Sequence, residues 1–438
     1  MDEGRRTAAA PTPGRRNLVA ATVGNALEWY DWNVYALMAP FFATRFFVAG
    51  SATTALLSSL AVFAVGFVAR PVGGLVMGVI SDRRGRRTAM LWSIALMAAG
   101  SLLIGLTPAH DAIGVLSPLL LVFARLVQGL SAGGEFAASA AYLVESAPDR
   151  RKGLYSSFLY TGNLVGTLLA TGLGALLALV LDHDAMTAWG WRLPFLVGGV
   201  AAVLLGLMRR QMEETLPPSV RRDTAGEGIL APLRRNAPAA MVLCGITAGA
   251  TVAYYTWIVA LPGHAVAGGQ LGPGQALLAA TIAQALLLAA LPFVGMLADR
   301  VGPRRLILAF SGGLALLCVP LYSLAQGSFT GLLTAEVIGL LLFSGYGATA
   351  ALVMVELFPL GARGIGVGLP YAATVAAFGG TAPYVSVWMD GHGPEAAFPV
   401  YVALLCVLTF AVAWRKLDRG RGSAAPDPAP HAERLSMP

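Results

Sequence analysis

Two short strings recur at one fixed step. Gly78-Val-Ile-Ser-Asp82-Arg83-Arg84-Gly85-Arg86-Arg87 is answered by Gly295-Met-Leu-Ala-Asp299-Arg300-Val-Gly302-Pro303-Arg304-Arg305. Asp82 to Asp299 and Gly85 to Gly302 are both steps of 217, about half of the 438 residues. A second pair follows at a step of 211: Val144-Glu145-x-x-Pro148-x-x-x-Lys152-Gly153 and Val355-Glu356-x-x-Pro359-x-x-x-Arg363-Gly364. Each Asp-Arg string lies between two long apolar runs. Same-order repetition of this kind predicts two structurally related halves in a membrane, the plan on which alternating access is built.

The composition points the same way. Apolar residues are 56% and charged residues 12%, where a soluble chain carries roughly 25% charge. The net charge of +7 does not imply nucleic acid. The basic residues sit in short loops, with no basic stripe interleaved with aromatics. Cys244, Cys318 and Cys406 fall inside apolar runs without metal-ligand spacing and read as small apolar packers. The polar, Arg-containing start to Asn17 precedes an apolar run too long for a signal peptide, so that run is expected to be a retained first span.

Apolar runs of bilayer length begin near Leu18, Ala52, Thr88, Leu116, Leu154 and Trp191. Six more begin near Ala237, Gln275, Leu306, Leu332, Ile365 and Phe398. The fold class predicted is therefore an all-α integral membrane protein, with twelve transmembrane helices in two six-helix halves. The expected layout is an N-terminal tail 1–17, a first half 18–208, a linker 209–236, a second half 237–414 and a tail 415–438. Of the 30 Lys and Arg, 26 fall in the tails and the even-to-odd loops; the others are Arg45, Arg70, Arg125 and Arg192. The positive-inside rule then puts both termini in the cytoplasm.

Charges inside the spans carry the chemistry. Asn25, Glu28, Asp31 or Trp32, and Tyr35 recur at helical spacing and are expected on one face of span 1. Glu28 and Asp31 lie about 16 and 20 Å along the helix from Asn17, near mid-membrane. A carboxyl group there is costly and marks function by default. Burial disfavours its charged form and a nearby cation favours it, which suits a proton carrier; the competing reading is a structural hydrogen-bonding pair. Arg70 lies about 18 Å from the loop at Asp82 and precedes Pro71, which loosens the helix. Its fork can hold a substrate carboxylate, pairing with Glu28 or Asp31 when no substrate is bound. The alternative is a permanent internal salt bridge. In the coupling scheme an arriving anion takes Arg70, and the released carboxylate takes up a proton.

In span 4, Gly129, Gly133, Ala137 and Ala141 form a small-residue ridge for close helix packing. Arg125, Gln128, Ala132, Glu135 and Ser139 form a separate polar stripe. Arg125 and Glu135 are about 15 Å apart along the helix, so Glu135 needs a partner on another helix; it is a further proton-site candidate. Tyr160 and Tyr371 are equivalent by the 211 step, and Asn163 lies one turn beyond Tyr160. Tyr254, Tyr255 and Trp257 cluster in span 7. Tyr35, Tyr160, Asn163 and Tyr255 join the substrate-facing set, with packing as the alternative. The gate set is Asp82, Arg83, Arg86, Arg87, Glu145, Asp299, Arg300, Glu356 and Arg363. Pro303 stands where the first string has Arg86, which weakens the symmetry of the gate. Glu336 is the sole charge within a span of the second half.

Several strings together resemble the major facilitator superfamily over nearly the whole chain, and most its bacterial metabolite–proton symporter branch. They are Gly24-Asn25-Ala-Leu-Glu28-Trp29-Tyr30-Asp31, Phe67-Val-Ala-Arg70-Pro71-Val-Gly73-Gly74 and Arg125-Leu-Val-Gln128-Gly129-Leu-Ser-Ala-Gly133-Gly134-Glu135. Trp189-Gly190-Trp191-Arg192-Leu-Pro194-Phe195, Glu356-Leu-Phe-Pro359 with Arg363, and Phe378-Gly379-Gly380-Thr381-Ala-Pro383 complete the set. The resemblance implies a multi-pass protein of the bacterial inner membrane, working as a monomer. It implies proton-coupled uptake of a small organic acid or zwitterion, with the proton as coupling ion and no cofactor. It also adds Arg192 to the substrate-facing residues, against the plainer reading that Arg192 snorkels to the interface. Enzymatic activity is not expected, since no nucleophile or His/Cys constellation lies in the spans, and an ATP-driven pump is not expected, since no P-loop string exists. A proton-driven exporter on the same fold is the alternative.

Overall fold

The computed structural model describes residues 15–47, 52–220, 228–267, 271–392, 394 and 396–417. The distal parts of both expected tails, and residues 221–227 of the expected linker, lie outside them. The described residues form helices and turns. The first six long helices are α1 (Arg15–Phe46), α2 (Ala52–Arg84), α3 (Arg86–Leu106), α4 (Leu116–Glu145), α5 (Lys152–Val180) and α6 (Arg192–Arg209). The second six begin with α7 (Ala237–Tyr255), which continues through a wide π turn at Thr256–Ala260 into Leu261–Ala267. Then come α8 (Pro273–Val301), α9 (Pro303–Leu324) and α10 (Phe329–Glu356). α11 (Arg363–Thr374) passes through a π turn at Val375–Gly379 to Ala382–His392, and α12 is Ala397–Lys416.

Among the described residues eleven helices are long and apolar enough to cross a bilayer. The twelfth, α1, has the length, at 32 residues. Its apolar character is diluted by Asn25, Glu28, Asp31 and Asn33, which turn inward: Asn25, Glu28 and Asp31 are buried. The outward faces are apolar instead. Val68, Leu179 and Leu316 are 74%, 85% and 80% exposed, as suits side chains that face lipid tails.

Two repeat glycines make the tight turns. Gly85, between α2 and α3, has φ 110°, and Gly302, between α8 and α9, has φ 88°. Only glycine takes this region without strain. Pro303 then opens α9 at its first position, where a missing N–H is harmless. The stretch after α6 folds back onto the first half rather than hanging free. Met212 and Leu216 are buried, and the Glu214 carboxylate accepts from Arg86 N at 2.8 Å and Arg87 N at 3.2 Å, capping α3.

The halves meet along α2 against α11 and α5 against α8. Both seams are drawn backbone to backbone. A Cβ on Gly364 would lie 2.5 Å from Gly78 O, and one on Gly153 would lie 2.5 Å from Gly295 O. The two crossings are one contact repeated, because Gly78 maps to Gly295 by 217 and Gly153 to Gly364 by 211. This end of the bundle, which carries the Asp-Arg strings, is called the basic end below.

Candidate functional site

At mid-bundle the two halves enclose a small cavity. Trp29, Tyr160 and Asn163 line it from the first half, and Thr251, Tyr254, Tyr255, Tyr371 and Val375 from the second. Asn163 is about 16 Å along α5 from Lys152. The π turns in α7 and α11 begin beside this cavity, at Thr256 and Val375, where such irregularities often serve function. Tyr254 Oη donates to Asn163 Oδ1 across the halves at 2.9 Å. The Trp29 and Tyr254 rings meet edge to face at 5.8 Å, and Phe136 stacks on Tyr371 at 3.7 Å. The free space is about 10 Å³, enough for about one water. A metabolite therefore enters only when these aromatic contacts part.

Arg70 does not line this cavity but lies behind it, beside the lining residue Trp29. It is 4% exposed. Its Cζ lies 4.0 Å from the centre of the Trp32 ring, 4.8 Å from Phe67 and 5.9 Å from the cavity residue Trp29. Its Nε and Nη2 have no hydrogen-bond partner among the described residues. Glu28, 6% exposed, likewise has no partner for Oε2. The charges acting on Glu28 are those of Glu135, Arg70, Arg209 and Asp31. The expected pairing of Arg70 with Glu28 or Asp31 is not made: no ion pair joins them among the described residues. Aromatic faces hold Arg70 instead, and Asp31 is taken elsewhere. Ser101 donates to Asp31 Oδ1 and Gln128 Nε2 to Oδ2, and Gln128 Oε1 accepts from Arg125 Nη1 at 2.8 Å.

The single polar face expected on α1 is a broad sector. At about 100° per residue, Asn25 and Asp31 are about 120° apart. Asn25 reaches Leu159 O on α5, Asp31 turns to α3 and α4, and Tyr35 donates to Ser59 O on α2 at 3.1 Å. Tyr35 is thus buried within the first half and does not line the cavity, in contrast to Tyr160, Asn163 and Tyr255. Arg192 is not in the cavity either. It stacks on Trp191 at 4.3 Å and donates to Thr107 O at 2.9 Å, at the end of the bundle opposite the basic end. Trp257 donates to Ala335 O within the second half. Glu336 is fully buried with both oxygens unpartnered, away from the cavity lining.

Glu135 finds its partner on another helix. Arg209 Nη1 donates to Glu135 Oε2 at 3.0 Å and to Met90 O at 2.9 Å, and Ser139 Oγ donates to Glu135 Oε1 at 2.8 Å. Arg209, which the sequence reading places at the start of the linker, is the last residue of α6 and fully buried. It fastens α6 to α3 and α4. A cation at the end of an apolar run looks like a loop residue in sequence; only its buried acid partner tells otherwise. Replacing Glu135 by Gln should lower stability by about 3 kcal/mol, because it leaves Arg209 buried without a counter-charge. Thermal unfolding in detergent reads this, and an unchanged melting temperature would contradict the clamp.

The basic end is closed by unequal latches. In the first, buried Asp82 accepts from Gly364 N at 2.8 Å and Ile365 N at 2.9 Å, the start of α11. Arg86 donates to Asp82 at 2.6 Å, to Glu145 at 3.2 Å and to Leu360 O at 2.8 Å, and Arg363 donates to Glu145 at 3.2 Å. In the second, exposed Asp299 accepts from Gly153 N at 2.6 Å and Leu154 N at 3.1 Å, and Lys152 meets Glu356 at 3.9 Å. Pro303 supplies no counterpart to Arg86. Of the remaining gate candidates, Arg87 joins Arg210 O within its own half. Arg300 is exposed, with no bond to the other half among the described residues. Asp82→Asn should shift the population toward opening at this end by about 2 kcal/mol, and Asp299→Asn by under about 1. Spin-label distances across the basic ends of α2 and α11 measure this; equal shifts would contradict the asymmetry.

Known proteins share this arrangement. Residues 21–369 match the family described as Major Facilitator Superfamily. The chain is 37% identical over 407 residues to the alpha-ketoglutarate permease of Escherichia coli (strain K12), covering 92% of this chain and 94% of that protein. It is 32% identical over 396 residues to the citrate-proton symporter of Klebsiella pneumoniae, covering 88% and 87%. The fold is similar to that of the proton:xylose symporter XylE bound to 6-bromo-6-deoxy-D-glucose, with TM-score 0.76 at 19% identity, over 93% of this chain and 96% of that one. With paired six-helix halves, repeated latches and a cavity between them, this multi-pass membrane chain belongs to the Major Facilitator Superfamily.

Proposed function

We propose that this chain is a proton-coupled symporter that imports a small carboxylate by alternating access, with the basic end and both termini in the cytoplasm. Arg70 carries the proposal: a buried cation whose Nε and Nη2 lack partners among the described residues, next to Trp29 of a mid-membrane cavity shared by both halves. A guanidinium cannot lose its charge, and an uncompensated buried charge is expensive, so this place calls for an anion. The relatives named for alpha-ketoglutarate and for citrate and protons fit that chemistry.

Glu28 is the first proton carrier in this reading, because its Oε2 has no hydrogen-bond partner among the described residues whereas both Asp31 oxygens have donors. Asp31, held by donors from its own half, is the second proton site. Glu135 moves from the proton-site candidates to the structural clamp with Arg209. Tyr160, Asn163 and Tyr255 contact the substrate once the aromatic contacts open. The latches at Asp82 and Asp299 must break before the cavity reaches the cytoplasm. The test is direction: in proteoliposomes, an imposed inward proton gradient should drive accumulation of a carboxylate. Expulsion under the same gradient would replace this reading by the exporter.

A further inference from the structure

Behind the cavity wall a second guanidinium repeats the features of the first. Arg125 on α4 is fully buried, and its Nε and Nη2 have no hydrogen-bond partner among the described residues. Its Cζ lies 4.3 Å from the centre of the Trp32 ring, the same ring that Arg70 approaches to 4.0 Å. The two cations are therefore within two ring-contact distances of each other, with one indole filling the space against both. Tyr35 and Phe63 complete the aromatic box around Arg125, at 4.5 and 4.9 Å. Gly66 leaves room for it: a Cβ there would meet Trp32 at 2.9 Å and Arg125 Nη2 at 3.2 Å.

Packing alone does not account for two such cations. Each is buried with donors that lack acceptors, and neither forms an ion pair, among the described residues. The other two buried cations of this half are matched, Arg86 by Asp82 and Glu145 and Arg209 by Glu135. Arg125 reaches Asp31 only through Gln128, so its remaining fork is free for a planar anion.

We propose that Arg125 is a second carboxylate subsite, reached when the Trp32 ring turns aside, so that the substrate is a short dicarboxylate bridging Arg70 and Arg125. A single carboxylate would satisfy one fork and leave the other bare. A zwitterion would bring its own cation beside two others. This inference rests on the carboxylate-uptake reading and narrows it.

The test uses the full chain in proteoliposomes with labelled succinate or glutarate, competed by the unlabelled diacid or by its monomethyl ester. In the unaltered protein the half-ester should compete about 30-fold more weakly, the loss of one charged fork contact. Arg125→Gln should shrink that ratio to about threefold, leaving half-ester affinity unchanged. A half-ester that competes as well as the diacid overturns the subsite, as does an Arg125→Gln ratio equal to that of the unaltered protein. If Arg125→Gln does not give a monodisperse protein, Arg125→Lys decides. It keeps the charge and loses the fork, and should weaken the diacid about tenfold with little change for the half-ester. Failure to accumulate any mono- or dicarboxylate under a proton gradient sinks the uptake reading itself. Uptake with no preference for two carboxylates sinks only the subsite.

Discussion

Arg70→Gln should raise the KM for the transported carboxylate at least about 100-fold, equivalent to about 2.7 kcal/mol, and should raise the melting temperature. The two effects have one cause. Arg70 is buried over Trp32 and Phe67 with two nitrogens unpartnered. Its charge therefore destabilises the folded protein while offering substrate a dry, oriented fork. A neutral side chain of similar reach removes both the strain and the attraction. Were Arg70 instead part of a permanent internal salt bridge, the same substitution would strand an acid and lower stability by several kcal/mol. The sign of the stability change thus separates the two readings independently of transport. Uptake kinetics and thermal unfolding of one purified variant give both numbers, and an unchanged KM would remove Arg70 from the site.

Glu28→Gln should abolish accumulation driven by a proton gradient while exchange of labelled for unlabelled substrate stays within about threefold of the unaltered rate. Exchange needs the cavity to reorient loaded in both directions and no net proton release; accumulation needs a group that gains a proton on one side and loses it on the other. Gln keeps the shape of the neutral acid and cannot lose the proton. Glu28 suits this role better than Asp31 on geometry. Both Asp31 oxygens accept from Ser101 and Gln128 in the same half, whereas Glu28 Oε2 is bare and Arg70 is among the charges acting on it. Asp31→Asn should therefore weaken coupling less than Glu28→Gln. Equal accumulation by Glu28→Gln and the unaltered protein would take Glu28 out of the scheme.

The spans and the two halves were legible because each rests on a local signal. Apolar run length marks the helices, and the strings repeated at steps of 217 and 211 mark the halves. Of the residues that line the cavity, Tyr160 is marked in the sequence by its repeat partner Tyr371, Asn163 by lying one turn beyond it, and Tyr255 by the aromatic cluster of span 7. What could not be read was which neighbour each inward residue meets. Tyr35 and Arg192 carry the right chemistry in the right helices, yet one helix turn or one membrane leaflet separates them from the cavity. Helical spacing gives an angle around α1 but not the identity of the helix at that angle. Asp31 accordingly faces α3 and α4 where a partnership with Arg70 was expected. Arg209 was hidden because a terminal cation on an apolar run has the same pattern whether it snorkels or is buried against Glu135. The unequal latches could be anticipated from Pro303 alone, since no other residue of the second string can take the place of Arg86.

Coupling turns on a carboxyl group at Glu28 that takes up a proton when a carboxylate occupies Arg70. Its most direct measurement is the pH of a weakly buffered suspension of proteoliposomes as substrate is added outside, with labelled uptake followed in the same sample. The outside should become more alkaline in fixed proportion to the substrate taken up, and Glu28→Gln should lose this alkalinisation while still exchanging substrate. Uptake with no accompanying pH change, or a full proton signal in Glu28→Gln, would contradict it.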